Sequence, residues 1–246
     1  RYELIFEVTR KVNDLFSKNK KLAFQIDNDG YIKLGKLLEY NQVDEIKSHL
    51  KNKLVYDSHV PFGGSGLNTL ESVRKRKASA CYPLIDILEC PYILELALDF
   101  DILEIVENYL QCVPTLYSIN IFHTFHEQNI IEGIKSFHRD ADDVKFLCLF
   151  VYLVDVDKET GPHIYIKHSH NEAAFYKNTK LNFKNIFPPI MLTGHGNDKF
   201  FEESLKDYTD ILTGSIGDGF LADTYGIHRG GNLSKVLQVY KQLTGG

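Results

Sequence analysis

The apolar residues of this chain change their spacing after Val113-Pro114. Upstream they recur at helical intervals, whereas downstream they alternate with polar residues or form short continuous runs, as strands do. Helices followed by many short strands with polar turns are typical of an α+β protein. We therefore predict a β-barrel or jelly roll flanked by amino-terminal helices. The predicted strands read LYSINIFHTF, VKFLCLFVYLVDV, HIYIKH, GDGFLADTYGIH and KVLQVYKQL.

The amino-terminal part is predicted to contain several helices and one early strand. Asp29-Gly30 is a turn signal, and the segment YIKLGKLL after it suits a short strand. The other predicted features are helices over residues 2–17, over 41–54 with Asn41 as N-cap, and once or twice within 84–110, and an irregular polar insertion or lid over 171–212.

Length and charge limit the architecture and the partners. A chain of 246 residues can bury one full hydrophobic core. We expect a single domain over residues 1–246, helical to about residue 112 and jelly roll beyond it. The 28 Lys and Arg residues against 33 Asp and Glu leave a net charge of −5, so no nucleic-acid partner is indicated. No apolar run is long enough to span a bilayer and no signal-peptide pattern is present, so no membrane partner is expected.

The cysteines indicate the redox compartment. They lack the paired spacing of a metal-binding or redox motif, and three lie in apolar surroundings. Buried free thiols are therefore expected rather than a disulfide framework, which predicts a reducing, cytoplasmic environment. The four residues are Cys81, Cys90, Cys112 and Cys148.

The segment SFHRDADD, ahead of the most apolar predicted strand, carries a candidate metal site. In extended backbone, side chains at i and i+2 share a face, so His138 and Asp140 project together while Arg139 points away. His228 ends a predicted strand 90 residues later, and facing strands of one barrel can close that gap. Two imidazoles and one carboxylate on one side of a metal favour non-haem Fe(II) oxygen chemistry. Zinc with the same ligands and a water is the competing interpretation.

At these residues the sequence resembles the phytanoyl-CoA dioxygenase family of Fe(II)/2-oxoglutarate oxygenases. The similar segments are HRDADDVKFLCLFVYLVDVDKETGPHIYIKHSHN, GDGFLADTYGIHRGGN and, earlier, DGYIKLGKLLEYNQVDEIKSHL, which together run from about Gly30 to Tyr240. The resemblance implies a double-stranded β-helix core and iron held by His138, Asp140 and His228. It also implies that O2 oxidises a small-molecule or conjugated substrate while 2-oxoglutarate is decarboxylated to succinate.

The chain departs from the family pattern where the co-substrate is clamped. The family places an arginine on the strand after the distal histidine, and Lys235 stands in that region here. Lysine neutralises a carboxylate as a point charge without the bidentate fork of arginine. We predict Lys235 as the anchor of 2-oxoglutarate, with Arg229 as the rival. Asn120 and Thr124 are further candidates for hydrogen bonds to the co-substrate, or else ordinary strand residues facing solvent.

The carboxylate of Asp140 bears on the type of reaction. Members of the resembled family that halogenate carry a small residue at this position, so an intact aspartate favours hydroxylation. Desaturation and ring formation use the same ligands and stay open. Two other functions also stay open: a catalytically silent jelly-roll binding module, and an iron oxygenase that does not use 2-oxoglutarate.

Three further motifs carry weaker signals. His163, His168 and His170 resemble a cupin ligand set, but the expected glutamate comes too early, so structural histidines are favoured. The segment FGGSG (62–66) lacks the flanking strand and GK[ST] of a phosphate loop and is interpreted as a mobile loop. The segment RKRK (74–77) is either a solvated face or a patch that steers an anionic substrate.

Overall fold

The computed structural model describes residues 18–58, 66–125, 136–181 and 198–231. The helices are α1 (18–29), α2 (Tyr40–Leu50), α3 (Leu70–Arg74), α4 (Leu84–Leu88), α5 (Ile93–Ala97), α6 (Phe100–Leu110), α7 (Glu172–Thr179) and α8 (Asp198–Ser204), with a 3-10 turn at Lys206–Tyr208. The strands are β1 (Tyr31–Lys36), β2 (Val55–Tyr56), β3 (Leu67–Asn68), β4 (Ser79–Cys81), β5 (Phe122–Thr124), β6 (Cys148–Val151), β7 (His163–Ile166), β8 (Thr209–Leu212), β9 (Asp218–Ala222) and β10 (His228–Gly230).

The described strands form three antiparallel sheets, with strand orders β1-β9-β6, β10-β7-β8 and β3-β2-β4-β5. Strands distant in sequence are neighbours, as in the pairing of β1 with β9. A bridge between His138 and His228 adds the HxD segment to the edge of the second sheet. The predicted combination of helices with a run of antiparallel strands is confirmed.

The core lies between the first two sheets and under the helices. Tyr165 and Leu212 from the second sheet pack with Phe220 and Ala222 from the first. Burial of each large side chain stabilises the fold by about 1.5–3 kcal/mol. On the outer side of β1 and β9, helices α1 and α6 bury apolar residues that include Ile26 and Ile105. The first sheet is therefore covered on both faces.

Local signals explain several boundaries and correct one prediction. Helix α2 begins after Glu39, whose backbone N–H donates to the Gln42 side chain at 2.8 Å, so Asn41 is not its N-cap. Asp99 caps α6 by accepting from the backbone N–H of Ile102 at 3.0 Å. Gly30 has a φ of +89°, which turns the chain from α1 into β1 as predicted.

Other predictions need correction. Strand β9 ends at Ala222 instead of continuing to His228, because the residues between them form a turn held by the Gly226 N–H on the Asp223 carbonyl at 3.0 Å. The described parts of the stretch 171–212 are not irregular, since α7 lies in 171–181 and α8 and β8 lie in 198–212. Helix α7 was not predicted, because its apolar residues do not form a clear stripe along one face of the helix. Asn171 is its N-cap. The predicted helix 2–17 and strand 235–243 lie outside the described residues.

Within the described part of the chain, no helix combines the length and apolar character needed to cross a membrane.

Candidate metal centre

Two imidazoles and one carboxylate converge at one edge of the second sheet. The Nε2 atoms of His138 and His228 lie 3.7 and 3.6 Å from the two carboxylate oxygens of Asp140. One ligand atom from each residue falls within 4.8 Å of the others, and the two rings are 4.3 Å apart between centroids. Such a group leaves part of a metal's coordination sphere open to other ligands. The sequence prediction that these three residues lie together is therefore met by the geometry.

Backbone hydrogen bonds place the three residues. The N–H groups of His138 and His228 each donate to the other's carbonyl, at 2.9 and 3.0 Å. The Asp140 N–H donates to the Thr224 carbonyl at 2.9 Å. These three bonds tie the HxD segment to the turn and strand that carry the distal histidine, so the antiparallel register determines how the ligands meet.

The histidine rings are oriented by bonds on their other nitrogen. His138 Nδ1 lies 2.7 Å from the Ser136 carbonyl, and His228 Nδ1 lies 2.9 Å from the Gly226 carbonyl. A carbonyl only accepts, so each Nδ1 carries the proton and each Nε2 directs a lone pair toward Asp140. This is the tautomer a metal-binding imidazole requires.

Burial suits the site to a cation. The His228 side chain is 6 % exposed, whereas that of Asp140 is 34 % exposed. Burial and the neighbouring His138 lower the pKa of His228 to about 4, so its imidazole is neutral at pH 7. A divalent cation would be held by neutral nitrogens and one carboxylate. Two imidazole nitrogens and one carboxylate suit non-haem iron, and zinc also binds these types of ligand.

A buried network supports the turn that carries His228, and sequence reasoning missed it. Tyr109 of α6 donates from its hydroxyl to the Asp223 carboxylate at 2.6 Å, and Tyr165 donates to the Asp223 carbonyl at 2.7 Å. A Cβ at Gly226 would lie 1.9 Å from the Tyr165 hydroxyl oxygen, so glycine is required there. Burial raises the pKa of Asp223 above its usual range. A carboxylate inside the apolar segment GFLADTYGIH was the available sequence signal.

The residues predicted to bind 2-oxoglutarate differ in their exposure and in the residues that they contact. Arg229 donates to Glu202 of α8 at 2.7 Å and lies over the Phe137 ring at 4.8 Å, so it is engaged away from His228. Lys235 lies outside the described residues. Asn120 and Thr124 are both exposed, and Thr124 pairs with Ser79 in the third sheet. Their contact with a co-substrate stays a prediction.

The three histidines of the cupin-like motif separate in the structure. His168 Nδ1 and His170 Nε2 lie 2.7 and 3.0 Å from carbonyls at the end of α1, which agrees with a structural role. His163 differs, because its ring stacks on His228 at 5.1 Å between centroids and 13° between planes. Burial, reinforced by His228 and His138, holds the pKa of His163 well below its ordinary value.

The other weak motifs do not join the centre. In the RKRK patch, Arg76 pairs with the buried carboxylate of Asp57 at 3.1 Å, and Lys75 pairs with Glu71 at 3.3 Å. Most of the FGGSG loop lies outside the described residues. All four cysteines are free, with Cys81 and Cys90 buried and Cys112 exposed, so the prediction of unpaired thiols is confirmed.

No family model matches the sequence, and no curated protein matches it either. The resemblance to phytanoyl-CoA dioxygenases therefore rests on the motifs alone.

Solved structures share the fold. SnoN, a non-haem α-ketoglutarate-dependent epimerase from nogalamycin biosynthesis, is 17 % identical with a TM-score of 0.58, over 90 % of this chain and 79 % of its own; it has also been solved with Fe3+ and α-ketoglutarate.

Two further structures give the same picture. EctD from S. alaskensis, solved with bound Fe, is 16 % identical with a TM-score of 0.52, over 88 % of this chain and 72 % of its own. EvdO2 from Micromonospora carbonacea var. aurantiaca, solved with 2-oxoglutarate, is 12 % identical with a TM-score of 0.51, over 87 % of this chain and 84 % of its own. The chain thus has a fold used by iron and 2-oxoglutarate enzymes.

Proposed function

We propose that this protein is a non-haem Fe(II)/2-oxoglutarate-dependent dioxygenase of the phytanoyl-CoA dioxygenase type, built on a double-stranded β-helix. The observation that carries the proposal is the convergence of His138, Asp140 and His228, whose ligand atoms lie within 4.8 Å of one another. The fold shared with SnoN, EctD and EvdO2 supports it. Residues 1–246 would act as one oxygenase domain, and four free cysteines support a reducing compartment such as the cytoplasm.

The chain's own residues would prepare the site for the metal. His138 and His228 present unprotonated Nε2 atoms because their Nδ1 protons are held by backbone carbonyls. Asp140 supplies the single negative charge. When bound, iron would supply O2-dependent oxidation coupled to decarboxylation of 2-oxoglutarate.

Hydroxylation of a small molecule is the proposed outcome. Asp140 occupies the coordination position that a halide would need, so halogenation is disfavoured. The carboxylate is the most exposed member of the triad, so we expect the substrate to approach from its side.

Anaerobic titration of Fe(II)-loaded protein with 2-oxoglutarate tests the proposal. We expect one Fe(II) per chain and a weak visible charge-transfer band that saturates with 2-oxoglutarate. His228→Ala is expected to weaken Fe(II) binding and abolish the band with little change in far-UV circular dichroism. Iron binding without a band would indicate an oxygenase that does not use 2-oxoglutarate, and full iron affinity in His228→Ala would refute the triad.

A further inference from the structure

The imidazole of His163 lies beside the triad without forming part of it. Its Nε2 atom is buried and has no hydrogen-bond partner in the described part of the chain. Leaving a buried polar nitrogen unsatisfied costs about 1–3 kcal/mol. The position of this unsatisfied nitrogen next to a candidate metal centre indicates that its hydrogen-bond partner is a bound ligand.

The surroundings of His163 place that ligand between the two sheets. Its ring packs against Phe150 and Phe220 of the opposite sheet, at 4.9 and 5.2 Å between centroids, and stacks on His228. His163 therefore faces the interior of the sandwich, on the strand adjacent to the one that carries a metal ligand.

The strand register places no side chain directly opposite His163. His163 pairs with Gly230, two residues beyond His228 on β10 and on the same face. Glycine has no side chain to fill the space opposite His163. Two residues of strand span about 6.6 Å, which is comparable to the length of a five-carbon diacid. A ligand chelated beside His228 would place its far end near His163.

We propose that His163 donates a hydrogen bond from Nε2 to the far carboxylate of 2-oxoglutarate, an inference that rests on the proposed function. Arg229 is engaged with Glu202 on the other face and does not supply this hydrogen bond. The χ2 torsion of histidine is broad and two-fold, so the ring can present Nε2 to a ligand on either side. The neutral imidazole would add a hydrogen bond, not a charge.

The test compares two 2-oxo acids in anaerobic titrations of Fe(II)-loaded protein, read by the visible band. 2-Oxovalerate keeps the chelating end of 2-oxoglutarate but has a methyl group in place of the far carboxylate. We expect His163→Phe to raise the half-saturating concentration of 2-oxoglutarate about 10- to 100-fold, the scale of a hydrogen bond to a charged group. The half-saturating concentration of 2-oxovalerate should not change. His163→Gln, which retains a donor, should recover part of the loss.

The matched control is His170→Phe, which removes another half-buried histidine, one whose ring contacts the Asp27 carbonyl instead. This substitution should leave both titrations unchanged. If His163→Phe does not fold, His163→Asn carries the same comparison, because its shorter side chain withdraws the donor. Equal losses for both acids, or no loss for either, would overturn the assignment while leaving the proposed function intact. Wild-type protein that binds iron but forms no band with either acid would refute the proposed function.

Discussion

At the scale of single residues, Asp140 contributes the one charge of the triad. A histidine that binds a metal through Nε2 is neutral, and in both histidines Nδ1 donates to a backbone carbonyl. The carboxylate therefore determines both the net charge of the metal complex and the number of positions left for other ligands. Neighbouring acidic residues do not occupy an equivalent place, since Asp142 accepts from the Tyr117 hydroxyl at 2.7 Å.

Replacement of Asp140 by glycine is expected to separate metal binding from turnover. Two histidines still bind Fe(II), with reduced affinity, but substrate oxidation should fall below detection because the ligand geometry is lost. Fe(II) affinity and 2-oxoglutarate decarboxylation measure the two effects. Asp143→Ala is the matched control and should resemble wild type. Wild-type turnover in Asp140→Gly would mean that another carboxylate, such as Asp142, is the ligand.

His123 is a second residue with a measurable consequence. It lies between Tyr82, whose hydroxyl is 3.2 Å from its Nε2, and the stacked ring of Phe125. Burial lowers the pKa of His123 to about 4. Below a pH of about 6.5 the unfolded chain binds a proton that the folded chain does not, so stability falls as the pH drops from about 6.5 to about 4.

We expect His123→Phe to flatten this acid destabilisation. The slope of unfolding free energy against pH, measured by urea denaturation between pH 7 and pH 4.5, should decrease by at most about 1.4 kcal/mol per pH unit. The remaining slope comes from other groups. Identical slopes in the two proteins would show that His123 titrates normally in the folded state.

At the scale of elements, the β8–β9 turn contacts the segment between β1 and α2. Gly217 has a φ of +86°, and its carbonyl accepts from the N–H groups of Leu37 and Leu38 at 2.8 and 3.2 Å. A Cβ at Gly217 would lie 1.9 Å from the Leu38 carbonyl oxygen. The close approach of two backbones therefore requires glycine at this position, in addition to the positive φ.

Two glycine substitutions distinguish the cost of a left-handed backbone conformation from the cost of a steric clash with the added Cβ. Gly35 has a φ of +76° at the bulge in β1, but a Cβ there meets nothing within 4 Å. Gly35→Ala should cost about 1–2 kcal/mol from the left-handed conformation alone. Gly217→Ala should cost about 1–3 kcal/mol more because backbone atoms must move. Chemical denaturation measures both, and equal costs would mean that the turn can relax without loss.

At the scale of the whole molecule, α6 is linked to the metal centre through Tyr109 and Asp223. The hydroxyl of Tyr109 holds a buried carboxylate at the start of the turn that ends in His228. Burial and the Asp223 charge raise the pKa of Tyr109, so it stays a donor at physiological pH. The helical layer therefore supports the position of a ligand supplied by the opposite half of the chain.

Tyr109→Phe is expected to weaken both stability and metal binding. Removing one partner of a buried carboxylate costs about 1–3 kcal/mol, and displacement of the turn should lower Fe(II) affinity. Urea denaturation and metal titration report the two quantities. Tyr208→Phe, which loses an exposed bond to the Asn178 carbonyl at 2.8 Å, is the control and should change neither. Unchanged metal affinity in Tyr109→Phe would show that the turn is held without this bond.

Much of this fold and of its candidate site follows from local chemistry in the sequence. Alternation of apolar residues predicts β6, β7 and β9, and the Asp29-Gly30 turn predicts the start of β1. The HxD spacing predicts that His138 and Asp140 lie together, because neighbouring positions in extended chain depend on covalent geometry. The distal His228 was also found, from a motif at a strand end.

Only the tertiary structure decided which distant residues meet. The pairing of His138 with His228, the engagement of Arg229 by Glu202 and the support of Asp223 by Tyr109 each join segments that no local pattern relates. The stacking of His163 on His228 is of the same kind. A sequence specifies local conformation through short-range sterics and hydrogen bonds, whereas these contacts join residues 27 to 114 positions apart and depend on strand register and on how the elements pack.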